Sequence, residues 1–142
     1  MIMGIAGLVF IPLLAVALAN LIWSFGGSWP LRDRALLAKT VVGKAGITEV
    51  PRLTALLVAI GALLAGIIAL SLADPEAGGL GLNLLGTLLG LGFVTRGVLG
   101  YTSGWRDRYP EEPFATLDRR NYSPLSLLLG AGFLLLVLMR LI

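Results

Sequence analysis

The chain has 142 residues, of which 57% are hydrophobic and 13% are charged, and its formal net charge is +3. Soluble domains contain about 45–50% apolar and about 25% charged residues, so this chain could not cover its apolar surface in water. It has no cysteine and no histidine, which excludes disulfide exchange, imidazole bases and zinc sites built from these residues. We expect no metal, no cofactor and no nucleic-acid partner.

Four nearly charge-free segments cover residues 2–25, 52–73, 79–101 and 124–142. Each is long enough for a helix that crosses a hydrocarbon layer of about 30 Å, which takes about 20 residues. We therefore predict an all-α fold, an integral membrane four-helix bundle that forms a single domain over residues 1–142. The first segment lacks the positively charged start of a signal peptide, so we expect it to be retained as a helix.

The basic residues predict how the helices cross the membrane. Lys and Arg are concentrated in the first and third connections, whereas the second connection, residues 74–78, has none. By the positive-inside rule, the first and third connections are cytoplasmic and both termini lie on the outer side of a bacterial inner membrane. The 3 tryptophans and 3 tyrosines all lie near the cytoplasmic face. Membrane anchoring alone predicts two aromatic belts, so this asymmetry indicates a function at that face.

The first helix and the first connection carry three candidate site residues. Asn20 and Trp23 share one helix face near the inner end, and Trp29 follows a turn at two glycines. A hydrogen bond between helices is the alternative interpretation of Asn20. Residues 31–43 mix apolar and basic side chains, which is typical of a surface helix on anionic lipid, although an irregular loop fits the same pattern.

Small residues form stripes on the second and third spanning segments, from Ala55 to Ala73 and from Gly79 to Gly104. Such stripes allow helix backbones to approach closely in lipid. Because the connection between the two segments is short, we predict that they pack against each other as an antiparallel pair. A contact with a partner subunit is the alternative. Asn83 lies within the stripe and is expected to form a hydrogen bond across it.

Arg96 is the one basic residue well inside a predicted span. Charged residues within a membrane are candidates for function, and the glycines at positions 92 and 100 leave space on both sides of this side chain. Arg96 therefore either binds an anionic ligand or pairs with a structural partner, such as Asp118 or a lipid phosphate. Snorkelling to the interface near Tyr101 also fits its position.

The third connection ends in a group of polar residues just before the fourth helix. Asp118, Arg119, Arg120 and Tyr122 precede Ser123-Pro124, a pair typical of a helix start. Two arginines beside free N–H groups of a helix N-terminus suit a phosphate or a carboxylate. Alternatively, Asp118 pairs with an arginine to fix the loop. Arg140, at the outer end of the fourth helix, is expected to reach water and to favour the negative helix terminus.

The chain resembles a family of small bacterial four-helix membrane proteins known as domain of unknown function 3995. The resemblance covers nearly the whole chain and rests on these residues: Trp23, Gly26-Gly27-Ser28-Trp29-Pro30, Arg96-Gly97, Gly100-Tyr101, Pro113-Phe114 and Leu117-Asp118-Arg119-Arg120-Asn121-Tyr122-Ser123-Pro124-Leu125. It implies the fold and the topology but no activity. The family usually has histidine at the position of Asn20 and cysteine at the position of Ser126, so it implies no imidazole or thiol chemistry for this chain.

We predict that this small inner-membrane protein recognises an anionic amphiphile or a lipid head group in a cytoplasmic-face site. The predicted site consists of Asn20, Trp23, Trp29, Arg96, Tyr101, Asp118, Arg119, Arg120 and Tyr122. The alternative is an accessory subunit of a larger membrane complex or of a homo-oligomer. A dimeric small-molecule exporter fits the size but lacks a membrane-embedded acid for proton coupling. A lipid-modifying enzyme would need a nucleophile–base pair that the sequence does not contain, so we expect recognition rather than catalysis.

Overall fold

A computed structural model describes residues 1–142 and contains helices and turns but no strands. Its 4 longest helices are long and apolar enough to cross a membrane, which confirms the predicted all-α four-helix architecture. These are α1 (Ile2–Ser24), α3 (Arg52–Leu72), α4 (Leu80–Leu99) and α7 (Ser123–Leu141). The shorter helices in the connections are α2 (Arg34–Val41), α5 (Ser103–Arg108) and α6 (Phe114–Leu117).

The two ends of the bundle carry different segments of the chain. The terminal end holds Met1, Ile142 and the short connection 73–79 between α3 and α4. The loop end holds the connections 25–51 and 100–122, in which α2, α5 and α6 lie. The assignment of the loop end to the cytoplasm stays a prediction from the distribution of Lys and Arg.

The spanning helices form two tightly packed pairs. α1 packs along α3 and α4 packs along α7, whereas α3 and α4 touch each other much less. The predicted pairing of the second and third spanning helices is therefore wrong. The short connection does keep α3 and α4 neighbours at the terminal end, where Gly86 packs against Leu72. Farther along, Gly66 of α3 packs against α1, and Gly90 of α4 packs against α7.

Glycines permit the close approach of helices within each pair. A Cβ atom added to Gly66 of α3 would lie 2.9 Å from the ring of Phe10 in α1. In the other pair, a Cβ atom on Gly130 of α7 would lie 2.7 Å from the carbonyl oxygen of Gly90 in α4. The small residues thus predicted close packing correctly, but they carry no information on which helix is the partner. These glycine contacts are made within the chain and need no partner subunit.

The main hydrophobic core fills the terminal half of the bundle. It joins α1, α3 and α7 through Ala6, Val9, Leu13, Ala65, Ala69, Leu72, Ala73, Leu129, Phe133, Leu136 and Val137. The ring of Phe133 stacks on that of Phe93 in α4 at a centroid distance of 5.8 Å, and Leu72 also packs against Gly86 of α4. The two pairs are therefore held together in the terminal half. They separate toward the loop end, where they enclose a cavity.

Arg140 fastens the terminal end of the bundle. Its guanidinium donates hydrogen bonds to Asn83 Oδ1 at 2.8 Å and to the carbonyl oxygens of Leu72, Asp74 and Ala77 at 3.1, 2.8 and 2.8 Å. The prediction that Arg140 reaches water beside its own helix terminus is wrong, because it binds the last carbonyl of α3, at Leu72, and two carbonyls of the connection that follows, at Asp74 and Ala77. Asn83 does form an interhelical hydrogen bond, but its partner is Arg140 of α7, so the predicted bond across the seam between α3 and α4 is wrong.

A second, smaller core lies at the loop end. Of the two alternatives for residues 31–43, the structure has the helix: α2 begins at the N-cap Asp33, whose side chain accepts from the backbone N–H of Ala35 at 3.0 Å. Its apolar face is covered by protein, in a cluster of Leu37, Ala38, Val50 and Ala55. This packing places the end of α2 and the segment that follows it over the cavity.

The start of α7 differs from the prediction. A single π-helical turn, Asp118–Tyr122, joins α6 to α7, and the N–H of Ser123 donates to the carbonyl oxygen of Asp118. The prediction of a helix N-terminus with free N–H donors at Ser123 is therefore wrong. In a π turn each hydrogen bond spans five residues instead of four. Pro124, which has no backbone N–H to donate, can therefore follow this turn without an end of the helix.

Candidate functional site

A cavity of about 840 Å³ lies between the two helix pairs in the loop half of the bundle. All four spanning helices contribute to its walls, and side chains of the connections 25–51 and 100–122 cover its loop end. Small-molecule sites in proteins enclose about 300–1,000 Å³. The cavity is therefore large enough for an organic ligand, including one that carries an alkyl chain.

The wall toward the middle of the bundle is apolar. It is formed mainly by Leu13, Val16, Val58, Ala62, Ala65, Leu89, Phe93, Leu125 and Leu129. These side chains offer no hydrogen-bonding groups, so this part of the cavity favours a hydrocarbon over a polar ligand.

The polar side chains of the cavity are concentrated toward the loop end. Four of the predicted site residues line the cavity: Asn20, Trp23, Arg96 and Tyr122. Five further residues with polar atoms lie in the same lining, and none of them was a predicted site residue: Lys44, Thr54, Trp105, Tyr109 and Ser126. The structure thus brings together residues from α1, α3, α4, α5, α7 and the connections between them.

Arg96 lies between a carboxylate and an aromatic ring. One terminal nitrogen donates to Asp118 Oδ1 at 2.6 Å, and the other donates to Ser123 Oγ at 3.5 Å. The guanidinium carbon lies 4.2 Å from the ring centroid of Trp105. The ion pair and the stacking hold the guanidinium in one orientation. A guanidinium carries five N–H donors, so these contacts leave donors for a ligand.

Asp118 supports Arg96 from behind the cavity wall. Its side chain is 1% exposed, compared with 30% for that of Arg96, and it does not line the cavity. Gly100 makes the packing possible, because a Cβ atom there would collide with Ser123 Oγ and lie 3.0 Å from Asp118 Oδ2. The structural alternative for Arg96, a pair with Asp118, is confirmed. This pairing also presents the remaining guanidinium donors to the cavity.

Aromatic rings close the loop end of the cavity. Trp105 packs on Tyr109 at a centroid distance of 4.5 Å, Tyr109 on Phe114 at 6.0 Å, and Phe114 on Tyr122 at 5.6 Å. The hydroxyl of Tyr122 donates to the carbonyl oxygen of Thr40 at 3.1 Å, which ties α2 to this row of rings. Each ring is fixed by its neighbours, so the end wall is a packed surface.

Trp105 and Tyr109 could have been found in the sequence from their spacing. They are four residues apart and follow Thr102, whose hydroxyl accepts from the N–H of Trp105 at 3.3 Å as the N-cap of α5. A capping residue followed by two aromatic residues on one face predicts a short helix with an aromatic side. Phe114, Lys44 and Ser126 carried no such signal.

Asn20 and Trp23 each use one donor within the protein. The amide of Asn20 donates to the carbonyl oxygen of Val16 at 2.9 Å, within its own helix. The indole N–H of Trp23 donates to the carbonyl oxygen of Trp29 at 2.7 Å. The amide donor of Asn20 therefore does not form a hydrogen bond to another helix, which was the alternative interpretation of this residue. Asn20 and Trp23 contribute a polar oxygen and an indole ring to the cavity lining.

Besides Asp118, four predicted site residues lie outside the cavity lining. Trp29 is 64% exposed and contributes its carbonyl oxygen to Trp23. The hydroxyl of Tyr101 donates to the carbonyl oxygen of Arg119 at 3.3 Å, and Arg119 and Arg120 have exposed side chains on the π-helical turn. The structure therefore separates these residues from Arg96.

The cavity lining carries positive charge only. Its charged residues are Lys44 and Arg96, and no carboxylate lines it. Asp118 offsets part of the field of Arg96 from behind the wall, whereas Lys44 is exposed. A concave site lined by one sign of charge attracts ligands of the opposite sign.

A comparison with known protein families identifies the family of the chain. Residues 13–133 match the family described as Protein of unknown function (DUF3995). The chain belongs to this family. The match includes the four spanning helices in part or in full, together with both connections at the loop end. No curated protein and no solved structure matches the chain.

The resemblance described above implies a histidine at the position of Asn20 and a cysteine at the position of Ser126, and the structure locates both positions. Asn20 of α1 and Ser126 of α7 both line the cavity. The two positions are far apart in the sequence but lie on the same concave surface.

Proposed function

We propose that this protein binds a single-chain anionic amphiphile in the cavity at the loop end of the bundle. The head group contacts Arg96, and the alkyl chain lies against the apolar wall. One observation carries the proposal: a single cavity joins a hydrocarbon-like wall to two basic side chains and contains no carboxylate. The proposed role is recognition, because the cavity lining contains no nucleophile–base pair.

The head group is expected to be anionic and to accept hydrogen bonds. Asp118 and Trp105 hold the guanidinium of Arg96 in place, so little order has to be gained when a ligand binds. A carboxylate or a phosphate accepts the charge-assisted hydrogen bonds that arginine offers. Lys44, on the opposite connection, adds a second positive charge to the same lining.

The depth of the cavity suits an alkyl chain. On α1 the lining extends from Trp23 at the loop end to Leu13 near the middle. These residues are ten positions apart, which corresponds to about 15 Å along a helix. This depth is about half of the roughly 30 Å hydrocarbon layer of a membrane. A chain of the length found in one lipid leaflet therefore fits.

The proposal includes a location. Four spanning helices indicate a multi-pass membrane protein, and the membrane proposed is the bacterial inner membrane with the loop end in the cytoplasm. The support for this orientation is the concentration of Lys and Arg in the two connections at the loop end.

A titration with dibrominated stearate tests the proposal. This probe is anionic, has one chain, and carries bromine atoms that quench the fluorescence of nearby tryptophans. Trp23 and Trp105 line the cavity, whereas Trp29 is exposed and would be replaced by phenylalanine. We expect saturable quenching in detergent solution. The brominated alcohol of the same chain length should bind about tenfold more weakly, because it lacks the charge-assisted hydrogen bond to Arg96.

Two exposed valines provide a matched pair of variants. Val58 of α3 is 41% exposed and lines the cavity, whereas Val98 of α4 is 54% exposed and does not. We expect Val58→Phe to weaken binding of the probe and Val98→Phe to leave it unchanged. Equal effects of the two substitutions would show that the probe binds elsewhere and would overturn the proposal.

A test of the role of Arg96 needs a variant in which no charged side chain is left without its partner. The double variant Arg96→Gln/Asp118→Asn replaces the ion pair by neutral side chains of similar size. It should lose the preference for stearate over the alcohol while it still binds both. Retention of the full preference would contradict a head-group contact at Arg96.

A further inference from the structure

We infer that the ligand reaches the cavity sideways from the membrane, through a gap between α3 and α4 in the loop half. The inference rests on the proposed function and names the source of the ligand: a single-chain anionic lipid of the leaflet that surrounds the loop half. It excludes a water-soluble ligand that arrives from the loop end.

The cavity wall on α3 is open to the outside. Thr54, Val58 and Gly61 line the cavity and are also exposed. By contrast, every lining residue on α1 and α7 is buried or half-buried. A Cβ atom added to Gly61 would meet no atom within 4 Å. The cavity therefore opens along α3, on a face that lipid surrounds when the helix spans a membrane.

The neighbour of this open wall is α4, and the two helices meet chiefly at the terminal end. There the connection 73–79 joins them, and Leu72 packs against Gly86. Farther toward the loop end, Phe93 and Arg96 of α4 line the cavity opposite α3. The pairing of α3 with α1 and of α4 with α7 thus leaves a gap between α3 and α4 where the cavity lies.

The loop end is closed by packed protein. A roof of residues 41–51 lies over the cavity. The backbone N–H of Glu111 donates to the carbonyl oxygen of Gly43 at 3.1 Å, and the carboxylate of Glu111 accepts from the N–H of Gly46 at 3.4 Å. Gly43 also packs directly on the ring of Phe114. Of the lining residues in the roof, only Lys44 and Pro51 are exposed, whereas the exposed lining residues of α3 extend from Thr54 to Gly61. The longer opening of the cavity is therefore the one that faces lipid.

The polarity of the cavity matches the orientation of a lipid in that leaflet. A lipid of the loop-side leaflet has its head group at the loop end and its chain toward the middle of the membrane. Arg96 and Lys44 lie at the loop end of the cavity, and Leu13 and Ala65 lie at its inner end. The lipid can therefore move between α3 and α4 without turning over. A lipid of the opposite leaflet would have to cross the membrane first.

Brominated lysophosphatidic acid added to one side of a vesicle tests the inference. This anionic, single-chain lipid enters the outer leaflet and crosses the bilayer slowly. The chain has no cysteine, so an Ala45→Cys substitution at the loop end reports protein orientation through a membrane-impermeant thiol reagent. Rapid quenching of Trp23 and Trp105 is expected only in vesicles with the loop end outward. Equal rates in both orientations would overturn the inference.

Two glycines provide the matched variants for the route. Gly61 lies at the gap and Gly92 lies on the exposed face of α4 outside the cavity lining, and an added Cβ atom meets nothing at either position. Gly61→Phe should slow association severalfold, and Gly92→Phe should not. Glu111→Ala, which loosens the roof, should leave the rate unchanged. Faster association in Glu111→Ala with no effect of Gly61→Phe would indicate access from water.

These experiments distinguish a failure of the sideways route from a failure of the proposed function. If lysophosphatidic acid and stearate both fail to quench in either orientation and in detergent, the cavity does not bind such amphiphiles and the proposed function fails. If both quench in detergent but the one-sided experiment shows no dependence on orientation, only the sideways route fails. Inorganic phosphate, added as a competitor, should not displace either probe. Full displacement by phosphate would show that the site recognises a soluble anion, which also overturns the inference.

Discussion

The guanidinium of Arg96 and the carboxylate of Asp118 lie 2.6 Å apart, and the acid is the more deeply buried partner. Burial of a charged pair takes both groups out of water, so the pair stabilises the fold only while both members are present. Arg96 faces the cavity and Asp118 lies behind it. The structural role of the pair and the proposed binding role of Arg96 therefore make separate predictions.

Removal of one member of the pair should destabilise the protein more than removal of both. Arg96→Leu leaves the buried carboxylate of Asp118 without its cation and is expected to cost about 3 kcal/mol of unfolding free energy. The double variant Arg96→Leu/Asp118→Leu should recover part of this loss, because no unpaired charge remains. Unfolding in mixed micelles measures both values. A double variant less stable than either single variant would contradict a coupled pair.

Gly100→Ala should destabilise the same region through steric overlap. The new Cβ atom would collide with Ser123 Oγ, and overpacking of this kind costs about 1–3 kcal/mol. Gly92→Ala is the matched control in the same helix, where an added Cβ meets nothing and alanine is favoured over glycine by up to about 1 kcal/mol. The two melting temperatures should move in opposite directions. A stabilised Gly100→Ala variant would show that Ser123 is not packed against Gly100.

Arg140→Lys should loosen the terminal end although it keeps the charge. The guanidinium bonds four oxygen atoms in different directions, which an ammonium on a flexible stem does not reproduce. We expect faster hydrogen exchange in the connection 73–79 and a lower melting temperature. Asn83→Ala removes one acceptor and should have a smaller effect, of about 0.6–2 kcal/mol for an interhelical contact in a membrane. An unchanged Arg140→Lys variant would contradict the fastening role.

The predicted topology can be checked with single cysteines. Ala45 at the loop end and Glu76 at the terminal end are both exposed, and the chain has no native cysteine. In intact cells, a membrane-impermeant maleimide should label Glu76→Cys and should label Ala45→Cys only after the membrane is opened. The reverse pattern would place the termini in the cytoplasm, against the positive-inside rule.

The sequence predicted the membrane architecture well because that architecture depends on local composition. A run of apolar residues of sufficient length requires a helix in lipid, whatever its neighbours are. The pair of Arg96 and Asp118 was one of the predicted alternatives, since a charge inside a span needs a partner. The partners of the helices were predicted wrongly. Gly66 and Gly90 indicate where backbones can meet but do not specify α1 and α7 as the helices they meet.

The cavity itself was not predictable from the sequence. It results from the separation of two helix pairs toward the loop end, which is a property of their packing. Arg119 and Trp29 belong to dense sequence motifs, yet they lie away from the cavity lining. Lys44 belongs to no motif, and Ser126 was noted only for the family comparison, so neither was predicted as a site residue. The sequence motifs thus indicated the loop end of the bundle, where the cavity lies, but they included only some of the residues that line it.

A density map of the protein isolated together with its native lipids would test the proposed binding role most directly. Binding at Arg96 predicts an elongated density in the cavity, with its head within about 3 Å of the guanidinium and its chain between Val58 and Leu89. The gap between α3 and α4 should be open beside it. A cavity closed by contact between α3 and α4, or filled by the side chains of another protein, would contradict the proposed function.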